Sequence, residues 1–326
     1  MTLLLTLAGL TILAATVVDL YATVMKPGGG GAMGTRVAAT IWAVGLAIHR
    51  RRFGHRFLSN IGVAAVVSVP LAWMLLMWLG WSLLYLGTNE SVLDSADRQP
   101  ADAWSRVYFA GYSLFTSGLG DKVPNGALWQ MMTVLTSFMG LGLVTLAITF
   151  LVPILQAATE RRALARSLSH LGHTTQGILE RCWHDHHRLA DVAPDLATQC
   201  ATMTEKHLSY PVLEHLHSAT AAAAFTPRLA ALHDATTIAI LDANTEEAAA
   251  LQHLRTAIAD HADLLCSRRP ARVSTEPPPI STELGQEAVE RLESVAHVRC
   301  QIDALVRHDG WTWDDVTKRK ADASTG

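Results

Sequence analysis

Apolar positions fall into three long runs and one short one, after which polar positions dominate to the end of the chain. Thr2–Met25 is apolar apart from Asp19, Ile61–Leu86 is apolar with Pro70 inside it, and Ala127–Ala157 carries no charge at all. A bilayer core of about 30 Å takes about 20 helical residues. Each long run therefore predicts a membrane-spanning helix, and the third is long enough to tilt or to protrude inward. The short run, Val37–Ile48, reaches only about 18 Å as a helix and closes on His49-Arg50-Arg51-Arg52 and Arg56. It predicts an amphipathic helix lying on the inner leaflet, with a short extra span as the alternative. With one span before them, Lys26, Arg36 and the arginines of 50–56 share one side, which basic residues mark as cytoplasmic. The N-terminus then lies outside. No Lys or Arg precedes Lys26, so residues 1–25 lack the basic start of a signal peptide and read as a retained helix.

Between the second and third runs, Thr88–Ala103 is polar and rich in acids: Glu90, Asp94, Asp97 and Asp102 against Arg98. Repeated around an axis, that imbalance concentrates cations at a mouth. Asp102 is a suitable N-cap for a short helix from Trp104 to about Phe115. The helix leads into Tyr112-Ser-Leu-Phe-Thr-Ser-Gly-Leu-Gly-Asp-Lys-Val-Pro124. Alternate glycines, Gly118 and Gly120, allow alternate residues to take φ > 0. A chain that alternates in this way can present successive carbonyls to one side, and rings of such oxygens can replace the water shell of a monovalent cation. The dipole end of the short helix favours a cation at the same place.

The segment Thr116-Ser117-Gly118-Leu119-Gly120-Asp121, with Pro124, resembles the pore loop of the potassium channel superfamily, whose filter commonly reads Thr-Val-Gly-Tyr-Gly-Asp-x-x-Pro. It departs at Ser117 and Leu119, where the family has Val or Ile and an aromatic. The resemblance covers about Ile61–Ala158. It implies an all-α membrane protein, a pore-loop tetrameric channel with a helical cytoplasmic domain, in which the backbone of Thr116, Ser117, Gly118, Leu119 and Gly120 binds the ion. It further implies that Asp121, Tyr112 and Tyr108 support the filter, that Gly140 is the inner-helix hinge, and that Ile148 and Val152 form the narrow apolar gate. Leu141 and Val144, at helical spacing with them, would line the cavity. Gly142 and Pro153 are further points of bending.

The polar half is strand-poor and rich in Ala, Leu, His and Glu, and it predicts helices near 159–189, 194–207, 210–224, 227–242, 245–267 and 283–308. A Pro-rich linker is expected near 267–280. No Gly-x-Gly-x-x-Gly turn, strand series or arginine-repeating span appears, so the family's usual cytoplasmic modules are not visible in the sequence. Thirteen of fifteen histidines lie here. Cys182 and His186 form an i, i+4 pair spaced to share a metal, with His187 beside them. No defined pattern of ligand pairs accompanies them, and surface or interhelical histidines are the simpler reading; pH sensing is the other option. The four cysteines, all in this half, suit reduced thiols.

Four segments result: an N-terminal transmembrane helix over 1–25, a cytoplasmic or interfacial segment over 26–58, a pore domain over 59–158 and a helical cytoplasmic domain over 159–326. The expected function is passive, potassium-selective conduction by a homotetramer in the plasma or inner membrane, with no catalysis. K+ is the transported ion, and no organic cofactor or nucleic-acid partner is expected; lipid and monovalent cations are the partners. The alternatives are a weakly selective monovalent cation channel and a membrane-anchored, His-rich metal or signalling protein whose pore does not conduct.

Overall fold

The computed structural model describes residues 2–26, 30–52, 54–183, 188–268, 273–281 and 284–317. They form an all-α membrane protein. The helices are α1 Thr2–Val24, α2 Ala32–Arg52, α3 His55–Leu86, α4 Ala103–Leu114, α5 Gly126–Leu171, α6 Thr175–Cys182, α7 Arg188–Ser209, α8 Phe225–Ala239, α9 Thr245–Ser267, α10 Gln286–Glu293, α11 Ala296–His308 and α12 Asp314–Thr317. Among the described residues the one sheet is an antiparallel pair, β1 Val92–Asp94 with β2 Lys122–Pro124. Among the described residues three helices are long and apolar enough to cross a membrane: α1, α3 and α5.

Two compact units divide the chain. One holds residues 1–40 and 65–154, the other residues 41–64 and 155–326. In the first, small residues let α1 and α3 approach closely: a Cβ on Gly9 would lie 2.7 Å from the Gly80 carbonyl, and one on Gly80 2.7 Å from the Leu13 side chain. The polar exception of α1, Asp19, is buried. Its carboxylate accepts from the amides of Met33 (2.7 Å) and Gly34 (3.2 Å) and from the Trp73 indole (2.9 Å). It thus supplies acceptors to the first turn of α2, where backbone N–H groups have no helical partner. Gly31 must be glycine beside it, since a Cβ there would fall 2.4 Å from the carboxylate. α2 is longer than the apolar run that predicts it because this cap sets its start at Ala32.

In the second unit, α7, α8 and α9 carry much of the apolar core, including Leu196, Cys200, Phe225, Leu229, Leu254 and Ile258. Three expected helices differ. The stretch 159–189 breaks after Leu171, and α6 restarts on the Thr174 cap, whose hydroxyl accepts from the Gly177 amide. Residues 210–224 form two short 3-10 turns, Pro211–His215 and Ala221–Ala223. A break at Ser294–Val295 separates α10 from α11. The Pro-rich segment is tied down at Pro278 and Pro279: the buried Arg299 guanidinium donates to their carbonyls (3.0 Å and 3.2 Å) while pairing with Asp234. Trp313 donates to the Pro279 carbonyl and stacks under the same guanidinium. All four cysteines are free and buried.

Two buried imidazoles make this unit acid-sensitive. His207 donates to the Met203 carbonyl (2.9 Å), and His261 pairs with the Thr204 hydroxyl (2.8 Å). Burial, reinforced by Arg161, pushes His207 down to about 4; burial, with His207 and Arg161, also holds His261 well below the ordinary range. A lowered folded pKa means that the unfolded chain takes up protons first. Stability is therefore intact above about pH 6.5 and declines as pH falls toward 4, by on the order of 3 kcal/mol from His207 alone. Melting followed by circular dichroism should show this decline, and His207→Leu should lessen it while lowering the melting point at neutral pH. An unchanged slope in that variant would assign the acid sensitivity elsewhere.

Candidate functional site

The site is built on the end of α4. Asp102 caps its start by accepting from the Ser105 amide at 2.7 Å. At its other end the Ser117 amide donates back to the Tyr112 carbonyl (2.8 Å) and the Thr116 amide to the Ser113 carbonyl (3.3 Å). This is the paired 6→1 and 5→2 closure that normally carries glycine in the left-handed position. Here that position is Thr116, at φ 55°. A β-branched residue there is an outlier costing about 1–3 kcal/mol. Gly118 (φ 54°) and Gly120 (φ 78°) follow, so left-handed backbone alternates at 116, 118 and 120. The glycines account for two of the three; nothing in the sequence marks Thr116 as the third.

Contacts behind this segment fix its far end. Tyr112 donates its hydroxyl to the Lys122 carbonyl (2.5 Å), and its ring packs edge-on to Tyr108. The Ser95 amide donates to the Asp121 carbonyl (3.0 Å), and the Lys122 ammonium pairs with Asp94 (2.5 Å). Asp94 is thus answered within the chain and adds less to the acidic loop than its sequence suggests. The Arg106 guanidinium is buried and donates to the Thr88 carbonyl (2.7 Å), tying the start of the loop to α4. Neither Lys122 nor Arg106 stands out in the sequence, because their partners are backbone or a loop carboxylate. In the single chain Thr116–Asp121 is exposed, and neither Gly118 nor Gly120 has any atom near the space a Cβ would fill. Leu119 is 60% exposed. Ser117 reaches Tyr112 through its amide rather than its hydroxyl.

Residues 71–157 match the family described as "Ion channel". Over these residues the chain is similar to pore-loop ion channels of the potassium-channel type. The chain is also 30% identical over 216 residues to YdjJ of Bacillus subtilis strain 168, an uncharacterized membrane protein. That match covers 65% of this chain and 62% of the relative. No solved structure matches.

Within the matched residues α5 grips the end of α4. The Ser137 hydroxyl donates to the Ser113 carbonyl (2.9 Å). A Cβ on Gly140 would fall 1.7 Å from the Leu114 carbonyl, so the two backbones touch. Leu141, Val144, Ile148 and Val152 are all exposed on the single chain, on the face of α5 turned away from its own core. Farther out, Tyr85 bonds the Thr133 and Thr136 hydroxyls and packs against Phe109 and Trp129, joining α3, α4 and α5. Of the suggested metal cluster, His186 and His187 lie outside the described residues, and the Cys182 thiol donates to the Leu171 carbonyl. Among the described residues no group of three or more His, Cys, Asp or Glu is placed to hold a metal.

The contact at Gly140 means that alanine there changes packing before it changes flexibility. Gly140→Ala should lower the melting temperature and disturb ion discrimination, since α4 leads directly into the 116–121 segment. Gly142 has open space at its Cβ, so Gly142→Ala should fold normally and is the cleaner probe of bending. Equal melting points for the two variants would remove the packing role of Gly140.

Proposed function

We propose that the protein is a homotetrameric, potassium-selective channel of the cell membrane, conducting K+ passively along the backbone of Thr116, Ser117, Gly118, Leu119 and Gly120, with its helical domain in the cytoplasm. The observation that carries this reading is the alternation of left-handed backbone at 116, 118 and 120, directly beyond a helix end. Such a strand turns successive carbonyls to one side, and several copies around an axis complete the oxygen rings that stand in for a hydration shell. One chain leaves this strand exposed, which fits a surface that other copies complete. Thr116 retains its strained backbone conformation, and its hydroxyl adds a ring of oxygens at the inner end. Tyr112 and Tyr108 support the filter from behind, and Asp121 closes its outer end. Ile148 and Val152 form the apolar constriction, and Gly140 and Gly142 set how α5 meets and bends around the filter.

The channel discriminates less against Na+ than relatives with an aromatic at the Leu119 position. Leu119 has no hydrogen-bond donor, and the lost bond is worth about 0.5–1.5 kcal/mol per subunit. The backbone rings are intact, so K+ stays preferred. Purified protein in vesicles should carry K+ current, with a reversal potential that shifts only partly when external K+ is replaced by Na+. Ser117→Val with Leu119→Tyr should enlarge that shift. A native channel that already excludes Na+ fully, unaltered by the double substitution, would sink the loose-filter idea; absence of any flux would sink the channel reading itself.

A further inference from the structure

Histidines outside the pore come together in the second unit, at the start of α3. His217 is fully buried, and its Nδ1 lies 2.7 Å from the carbonyl oxygen of Asp309. A carbonyl only accepts, so Nδ1 carries the hydrogen and Nε2 presents a lone pair. That Nε2 lies 3.1 Å from Nδ1 of His55, the first residue of α3. His55 therefore donates to His217, and the two imidazoles form one chain running from α3 to the turn after α11.

We propose that His55 and His217 together are a proton-binding site that regulates the channel. One added proton enters on His55 and is held in an N–H+···N bond across the 3.1 Å gap, which is stronger than the neutral bond it replaces. The pair then gains a full positive charge beside the Asp309 carboxylate, whose Oδ1 lies 3.8 Å from His217 Nδ1. The other oxygen of that carboxylate is held by Arg161 (3.0 Å) and by the Thr226 hydroxyl (2.6 Å). Arg161 belongs to α5, the inner helix, which is continuous from Gly126 to Leu171. Loading the histidine pair puts a second cation on the carboxylate that anchors Arg161, so the proton is felt at α5.

The groups facing the pair come from every neighbouring element. α2 contributes His49, with its ring 5.1 Å from His55 and 6.3 Å from His217, and Arg50 and Arg51 follow it. The 211–217 segment itself contributes Glu214 and His215. α11 contributes His308, 3.6 Å from Glu214, and the turn after it contributes Asp309. α5 contributes Arg161. His49 and Arg161 oppose the added charge, and Asp309 favours it. This inference rests on the channel reading for its consequence and on none of it for the site.

Trp311 provides a readout that needs no ion flux, because its indole stacks on His55 with ring centroids 4.0 Å apart. A protonated imidazole on an indole is a cation–π contact and quenches its emission. Full-length protein in nanodiscs, titrated from about pH 8 to about pH 5, should lose an emission component that Trp311→Phe removes. His217→Asn keeps a donor for the Asp309 carbonyl, and His55→Phe keeps the stack on Trp311; each should reduce that component several-fold. A component unchanged in both variants would overturn the site. In vesicles, K+ flux should depend on pH in the native protein and much less in His217→Asn. Equal pH dependence in the two would overturn the regulatory role even with the emission change present. No flux at any pH would instead overturn the channel reading, leaving the proton site to be judged by emission.

Discussion

The candidate site depends on how α4 ends, because the last carbonyls of a helix have no partner within it. α4 does so by wrapping the chain under itself, with Ser117 and Thr116 returning amides to Tyr112 and Ser113. That closure requires one left-handed residue, and the protein places a threonine there rather than the unstrained glycine. The strain persists because the surroundings overdetermine it: Ser137 adds a hydrogen bond to the Ser113 carbonyl, and Gly140 lets α5 lie directly on Leu114. Once the first left-handed residue is fixed, Gly118 and Gly120 continue the alternation at no steric cost. The exit is fixed equally firmly through Tyr112, Lys122 and the short β-pair.

Much of this is legible in the residue pattern because the 116–121 segment and the apolar helices are specified locally. Length and apolarity announce α1, α3 and α5, and alternate glycines announce the left-handed positions. Thr116 was hidden because its conformation is imposed by hydrogen bonds to the helix before it, against its own preference. Gly140 was legible as a special position, but only the three-dimensional packing shows the backbone contact it permits. The helical half is less legible. Its apolar periodicity runs across Gly172 and across Ser294–Val295, yet local capping by Thr174 and the packing of α10 and α11 break the helices there. Residues 41–64, which the charge pattern separates from the polar half, join it in one compact unit because the Trp42 indole donates to the His308 carbonyl and Leu46 and Leu58 lie against Gly310.

Asp19 shows the same logic at the other end of the chain. A carboxylate in an otherwise apolar helix is costly to bury unless fully bonded. Three donors meet it, two of them from the first turn of α2. The charge pattern alone treats Asp19 as an exception to a span; in the fold it is what determines where the next helix begins. Gly31 and Gly34 are small because the chain must pass close to it, with Gly34 also lying against Val69.

The second unit uses buried ions differently. Arg161–Asp309 and Arg299–Asp234 are both buried pairs, with every partner also bonded to backbone or to a further side chain. Such pairs gain little net stability over apolar residues of equal volume, but losing one partner strands the other charge. Their effect is therefore on arrangement more than on stability. Arg299 dictates where the Pro-rich segment lies, and Arg161 dictates which face of the extended α5 meets the turn at Asp309. Burial raises the Asp309 carboxyl, but Arg161, His217 and Thr226 outweigh it and hold the group below its usual range. It stays charged through the whole range in which histidines titrate. The carboxylate is consequently a fixed point, and any change in the cations around it must be taken up by the cations: by the imidazoles on one side and by α5 on the other.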